Sequence, residues 1–415
     1  MRPHLRRCLF AIGLYSAAGL AGPAMAGGDA EESLVEAIAD TKPYIDARYR
    51  FEHVDQDGFT KNANASTLRT RLGLQTGEFH GVSILAEAEN IAHLGSARFN
   101  STNNARTQYP TVADSRATEV NQLYGQYTGL ANHTFRFGRQ RVILDNARFV
   151  GNVGFRQNEQ TYDSFAVINT SLPDTTAVYG YVWNVNRIFG DRSDVGNFGT
   201  STHLLNASYG GFDLVTPTAF AYLIDLTDTG LGESSIATYG LRLSGKTEIA
   251  DGFKALYTAE FAHQNDYASA TIGKSLDYYT AEVGIAAAKL AGEFDVTVKL
   301  GYEVLEGDGT NGFQTPLATL HAFNGWADKF LATPSGGIED AYVKLGVKAY
   351  GVNFLAAYHD FGAERGGLDH GSEWNLRIAR KFYDHLTLAV KYANYDADNT
   401  STDTEKIWLT AGVKF

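Results

Sequence analysis

An all-β fold, a transmembrane antiparallel β-barrel of 18 strands, is what the sequence predicts, and three observations carry it. The last nine residues alternate strictly: Ile407, Leu409, Ala411, Val413 and Phe415 are apolar, while Trp408, Thr410, Gly412 and Lys414 fill the gaps. A period of two means a strand with one apolar and one mostly polar face. The same alternation recurs in segments of about ten residues along the chain, the signature of a barrel with lipid outside and water inside. Tight turns such as Gly77-Glu78, Gly129 to Asn132, Gly210-Gly211 and Tyr383-Asp384 alternate with longer polar loops at 93–117, 144–158 and 306–337. Short turns on one side and long loops on the other follow the rule for such barrels. A closed barrel also requires the terminal strand to pair with the first, because lipid tolerates no open sheet edge.

The start of the chain stands apart. Arg2, His4, Arg6 and Arg7 precede an apolar run from Cys8 to Leu20 and a small-x-small site at Ala24-Met25-Ala26. Residues 1–26 therefore read as a signal peptide, too short and wrongly flanked for a membrane anchor. The only Cys and both Met residues lie within it. A mature chain has no disulfide, thiolate metal site or Cys nucleophile. Removing three of the 35 basic residues and none of the 47 acidic ones leaves a net charge of −15, which argues against nucleic acid as a partner. No later apolar run reaches ~18 residues, so no membrane helix is expected. Residues 27–415 read as a single domain without a linker.

A periplasmic lead-in, 27–41, carries Leu34, Ala37 and Ile38 at helical spacing and predicts a short helix. Strands are expected near 42–53, 66–76, 80–92, 118–128, 133–143, 159–170, 174–188, 201–209, 212–226, 234–247, 252–265, 276–288, 292–305, 338–349, 351–362, 372–383, 385–397 and 402–415. An even count places both termini in the periplasm, and this many strands leave a wide lumen unless loops fill it. The loop 306–337 carries Phe313, Leu317, Leu320, Phe323, Trp326, Phe330 and Leu331. It is too apolar for a solvated connection, and is expected to fold into or over the pore, or to lie outside as a flap.

Parity assigns the faces. In the first strand Ile45, Ala47, Tyr49 and Phe51 point to lipid, and Asp46, Arg48, Arg50 and Glu52 to the lumen. The second sends Arg69 and Arg71 inward and the third Glu87 and Glu89. Further round come Arg136, Gln140, Arg242, Glu260, Glu282, Lys299, Glu303, Asp340, Lys344, Arg377 and Lys391. A charge on the lipid side costs ~2–4 kcal/mol per Arg or Lys at midplane, so such groups belong inside. Arg139 shares parity with Phe135 and Phe137, and counts among the pore-lining candidates through a bulge at Gly138 or a place at the rim. Tyr124 and Trp408 point inward, where they could stack on sugar rings; Tyr392 and Phe415 suit interfacial girdles.

Several blocks resemble the alginate-export family of outer-membrane porins: Arg50 to Gly58, Asn64 to Gly73, Gly138-Arg139-Gln140, Arg148 to Gly151, Phe155 to Asn158 with Tyr162-Asp163, and His321 to Asp328. The resemblance implies an 18-stranded barrel and adds Arg156 and Asp163 to the pore-lining candidates. It implies an outer-membrane location, and a passive porin for small anionic or sugar-acid solutes. Export of an anionic polysaccharide such as alginate, with periplasmic secretion partners, is the alternative. The lumen's mix of Glu87, Glu89, Glu260 and Glu282 with cations fits alginate itself less well. Outer-membrane lipid, lipopolysaccharide and the barrel assembly machinery are the other implied partners. An outer-membrane hydrolase or a structural barrel is the alternative from another class.

Other patterns carry less. Gly240 with Gly245-Lys246-Thr247 matches a phosphate-loop spacing, but Tyr239, Leu241 and Leu243 alternate as a strand, and the loop needs a following helix. Asp55 and Asp57-Gly58 start like a calcium loop without the remaining ligands. His321 and His359 have no second His at ligand spacing. No catalytic residue, metal or cofactor is expected.

Overall fold

The computed structural model describes residues 34–95, 97–228 and 230–415, with the main chain alone for Glu233. The expected signal peptide lies outside these residues. A short helix, α1 (Leu34–Ala39), is followed by β1 (Lys42–Gln56), β2 (Ala63–Gln75), β3 (Val82–His93), β4 (Ala117–Tyr127), β5 (His133–Gln140), β6 (Thr161–Asn169), β7 (Thr175–Asn186), β8 (Asn197–Tyr209) and β9 (Thr216–Ile224). Then come β10 (Ile236–Ala250), β11 (Phe253–Asp266), β12 (Ser275–Leu290), β13 (Phe294–Leu305), β14 (Ile338–Ala349), β15 (Val352–Gly362), β16 (Asp369–Phe382), β17 (Leu386–Ala397) and β18 (Thr404–Lys414). The 18 strands fall where the alternation placed them, with ends shifted by a few residues. The starts of β8 and β9 shift most, and at β9 Phe212 and Leu214 belong to an exposed turn rather than to the strand.

Each strand pairs antiparallel with the next, and β1 also pairs with β18, so the sheet closes on itself. The seam runs from Asp46↔Lys414 to Gln56↔Thr404. Beyond it, Ile45 and Phe415 exchange main-chain bonds of 3.1 and 3.0 Å. Closure leaves no unpaired edge, the condition for a sheet to sit in lipid. Turns of a few residues join strands at the end that holds the start of β1 and the end of β18; the long loops are at the other end. At the short-turn end α1 tucks under the barrel, where Gly77 donates its N–H to the Ala37 carbonyl at 2.9 Å.

The outer face is apolar over most of the circumference. Leu72, Val283, Ile285, Leu300, Ile378 and Val390 are all exposed. Aromatic side chains gather near the strand ends: Phe253, Phe294, Tyr350, Tyr383 and Phe415 at the short-turn end, and Tyr239, Phe261, Tyr279, Tyr302 and Trp374 toward the other. Amphipathic rings at two levels match the two borders of a hydrocarbon layer.

The core is inside the barrel and is made by loops. The connection 141–160, between β5 and β6, supplies Leu144, Phe149 and Val150; the connection 306–337, between β13 and β14, supplies Phe313, Leu317, Ala327 and Phe330. They pack on inward Tyr162, Tyr222, Tyr278, Phe361, Tyr395 and Trp408. The loops also join each other. Val150 bridges Leu317 in parallel, Gly151 donates to the Leu317 carbonyl at 2.8 Å, and Thr319 donates to the Ala147 carbonyl at 3.0 Å. A third connection, 94–116, lays Phe99 and Val112 on Val54, Ala63 and Ala65 at the head of β1 and β2.

Phe415 holds the last rung of the seam and stacks on His385 with ring centroids 4.8 Å apart. Deleting it should lower the yield of folded barrel on refolding into lipid vesicles. The readout is the fraction migrating as the compact, heat-modifiable form on a gel; a yield equal to that of the full chain would mean the rung is dispensable.

Candidate functional site: the lumen where two loops meet

The inward residues of β1 and β2 form two columns of guanidinium groups. Arg48 lies directly across from Arg69, and Asp46 from Arg71. Like charges this close need counter-charge, and a lumen residue that a loop will cover needs every donor met. Neighbouring strands supply part of it. Arg69 pairs with Asp46 and Arg71 with Glu89. Loop 141–160 supplies more, leaving Nε and Nη1 of Arg50, Nε of Arg69 and Nη2 of Arg71 without a hydrogen-bond partner among the described residues. Glu159 takes Arg71 at 3.0 Å and also pairs with Arg141. The Gly154 carbonyl accepts from Arg48 at 2.9 Å and Gln157 from its Nε at 3.0 Å. The Arg156 carbonyl receives a third Arg48 donor, and the Phe155 carbonyl a donor from Arg50. The Phe155 ring lies 4.2 Å from the Arg50 guanidinium, a cation–π contact.

Arg156 carries the loop's own charge into the network. It donates to Glu52 at 3.0 Å and to Asp328, on loop 306–337, at 3.1 Å. Asp328 also accepts from Lys406 at 3.1 Å and faces His321 Nδ1 at 2.6 Å. Lys391 approaches His321 Nε2 and sits among Trp326, Phe155 and Trp408, at 3.7, 4.5 and 5.2 Å from the ring centroids. One tautomer satisfies both contacts: His321 neutral, donating from Nδ1 to Asp328 and accepting at Nε2 from Lys391. Glu373 anchors the same loop through the N–H groups of Trp326 and, at 2.9 Å, Ala327. Gly325 makes that approach possible, because a Cβ there would meet the Glu373 carboxylate at 2.2 Å. Across the lumen Arg148 pairs with Glu303 at 2.9 Å.

Burial raises the Glu159 carboxyl, but Arg141 and Arg71 outweigh it and hold it well below the usual carboxylate range. Burial pushes the His321 imidazole down to about 3, against the opposing pull of Asp328. Asp328 is in turn held well below its ordinary value: its own desolvation is outweighed by His321, Lys406 and Arg156.

The site candidates divide into four groups. Arg48, Arg50, Arg69, Arg71, Glu87, Glu89 and Arg156 come together under loop 141–160, and all but Arg48 are buried. Trp408 is also covered, by Phe155, and makes an edge contact with its ring at 5.7 Å. Arg242 and Lys299, on the opposite wall, each hold a carboxylate, Glu260 at 2.5 Å and Glu282 at 2.7 Å. Tyr124, Arg136 and Arg377 face the lumen half-buried, and Arg136 lies 5.3 Å from the Tyr124 centroid.

Arg139 and Asp163 form the fourth group, and here the pore-lining assignment is corrected. Arg139 continues the outer-face alternation of Phe135 and Phe137, beside exposed Leu123. It is held by Asp163 through two bonds of 2.7 and 3.1 Å, with Asn184 and Asn186 also on that carboxylate. The pair stands one residue from the end of β5, and the ion pair neutralises both groups on the outside of the wall. Gly138, at φ +125°, presses against the Leu123 carbonyl where no side chain fits, yet β5 keeps its register.

Asp114, on the connection 94–116, accepts from the Gln157 N–H at 2.9 Å and lies 3.8 Å from Arg50. Asp114, Arg141 and Glu159 had no signal in the sequence, because loops show no periodicity. The nearest hint was composition: three Arg and two acids, Asp145 and Glu159, within a loop 141–160 otherwise rich in Gly, Asn and Gln.

A closed 18-stranded antiparallel barrel with two connections folded into a charged lumen has the fold of the outer-membrane porins. Solved structures with this fold include OccK9 (OpdG) of Pseudomonas aeruginosa, 14% identical with a TM-score of 0.69 over 91% of this chain and 100% of that one. OccAB4 of Acinetobacter baumannii is 12% identical, TM-score 0.68, over 91% and 98%. The outer membrane protein OpdK of Pseudomonas aeruginosa is 13% identical, TM-score 0.67, over 90% and 98%. No family model and no curated protein matches the chain. These three are Occ and Opd proteins, and at 12–14% identity they show the fold; the porin part of the family expectation agrees with that fold, and the alginate-export part finds no support in them.

Two predictions follow from the network. Glu159→Gln leaves the guanidinium groups of Arg71 and Arg141 short of counter-charge. It should destabilise the folded barrel by about 3–5 kcal/mol, the usual effect of removing one partner from a buried ion pair, read from urea unfolding in detergent micelles. His321 makes the loop contact acid-sensitive. Its folded value, about 3, lies below the unfolded value of about 6.5. Its contribution is therefore complete above about pH 6.5 and is lost as pH falls toward 3. Protease nicking of loop 306–337 should rise over that window, and His321→Asn should flatten the rise. An equally steep profile in the variant would assign it to other groups.

Proposed function

We propose that the chain is an outer-membrane channel for passive diffusion of small anionic or sugar-acid solutes, and that it performs no chemistry. The observation that carries this reading is the set of inward cations left without a carboxylate. Arg136, Lys344 and Arg377 face the lumen, and none lies within 4.0 Å of an acid among the described residues. Arg136 bonds Gln126 at 2.8 Å, and the Lys344 ammonium sits 3.9 Å from the Tyr342 centroid. Arg48 and the buried arginines act differently: each gives at least one donor to a loop carbonyl or a carboxylate, so together they fix the loop that narrows the lumen. The half-buried cations would attract the solute, and charge acts strongly over ~8 Å at physiological salt, the scale of a narrowed lumen. In this reading the short turns and both termini are periplasmic. Assembly relies on the barrel assembly machinery, and lipid and lipopolysaccharide surround the wall.

In planar bilayers the wild-type channel should show a reversal potential of anion-selective sign in a salt gradient. Replacing Arg136, Lys344 and Arg377 together with Gln should move it toward zero, while Arg69→Gln, in barrels that remain folded, should leave it in place. A triple variant with unaltered selectivity would sink the proposal.

A further inference from the structure

Away from the loop seam, the long-loop end holds a cavity of about 440 Å³ between three connections: β9–β10, β11–β12 and β13–β14. That volume suits a small organic molecule. Its walls are of two kinds. Leu226, Ile272 and Leu331 give an apolar side. Ser234, Lys274, Thr310, Asn311, Thr315 and Ser335 give a polar one.

Lys274 is the unusual member. It is only 6% exposed, yet among the described residues no carboxylate comes within 4.0 Å of its ammonium and no side-chain hydrogen bond satisfies it. The acids nearest in charge are Asp266 and Asp308. Asp266 is occupied by the N–H groups of Gly273 at 2.7 Å and Lys274 at 3.2 Å. Asp308 is occupied by those of Thr310 at 2.7 Å and Asn311 at 2.6 Å. Both carboxylates serve the turns that shape the cavity. Burial lowers the lysine's proton affinity, against those two acids, as expected of a cation lacking its partner.

The wall beside it is built rather than loose. Gln264, an inward residue of β11, accepts from the Gln314 N–H at 2.9 Å and donates to its carbonyl at 2.8 Å. The Gln314 side chain donates to the Thr333 carbonyl at 2.9 Å and accepts from the Thr333 N–H at 3.2 Å. This double clamp ties both arms of loop 306–337 to the barrel wall, so the cavity keeps its shape without a ligand.

We propose that this cavity is a capture site at the long-loop mouth for a small hydroxylated carboxylate, a sugar acid, with Lys274 taking the carboxylate and the surrounding hydroxyl and amide groups taking the hydroxyls. It rests on the channel reading and adds to it a place where the solute is held before it reaches the lumen. The apolar side accepts the C–H face of the solute, and one ammonium at the cavity wall selects a monoanion over a neutral sugar.

The test is equilibrium dialysis of radiolabelled D-gluconate against the detergent-solubilised full-length barrel. Saturable binding is expected, competed by D-glucuronate and not by D-glucose. Lys274→Gln should weaken it about tenfold or more, and Lys274→Arg should largely retain it. Ile272→Trp, at an exposed lining position, fills the cavity while leaving Lys274 in place, and should also abolish binding. Wild-type protein without saturable binding, or binding in Lys274→Gln and Ile272→Trp equal to that of the wild type, overturns the site. Reversal potentials of the same variants read the lumen instead. They should match the wild type, and a wild-type barrel lacking anion preference would remove the channel reading while the dialysis still decides the cavity.

Discussion

The architecture depends on neutralising the arginine columns of β1 and β2. Four guanidinium groups on adjacent strands cannot be covered unless something brings them acceptors. Loop 141–160 does so with main-chain carbonyls at Gly154, Phe155 and Arg156 and with the carboxylate of Glu159. Main-chain carbonyls are useful here because they add partial negative charge without adding a titratable group. The loop is thereby fixed against one wall, and its apolar residues are presented to the other, where Phe149 meets Phe220, Tyr222 and Tyr278.

The second loop is held by the first. Asp328 has Arg156 on one side and Lys406 of the terminal strand on the other. The same strand that closes the barrel therefore also grips the loop, through the inward-facing Lys406 and Trp408. Glu373 completes the attachment from β16. Closure of the wall and packing of the interior thus share residues, and loss of the seam would loosen both.

The wall was legible in the sequence because lipid imposes a strict rule: each strand must hide its polar groups on alternate positions. The inward assignments of Arg69, Arg71, Glu87 and Glu89 follow from parity alone, and the structure places them on the inner face. The interior was far less legible. Nothing in the alternation says that Arg50 meets a carbonyl 105 positions away, or that Glu159 is shared by two arginines. Arg139 shows the limit from the other side. Its parity pointed outward, against its place among the pore-lining candidates, and its partner Asp163 lies on a different strand, so only the pairing of β5 with β6 joins them. The resemblance reached the porin fold and no further for a related reason: charged inward blocks are a demand of the architecture, and so do not identify a lineage.

The parallel bridge between Val150 and Leu317, with its flanking main-chain bonds, joins segments more than 160 positions apart into one insert. Each loop completes the surface on which the other rests, so the narrowing of the lumen is a joint property of two stretches of chain. Engineering of selectivity must treat them as a matched set: a loop transplanted singly from another barrel would arrive without its counterpart's carbonyls, and the pair would have to be exchanged together. Within a lineage, substitutions in one loop should accordingly be accompanied by changes in the other.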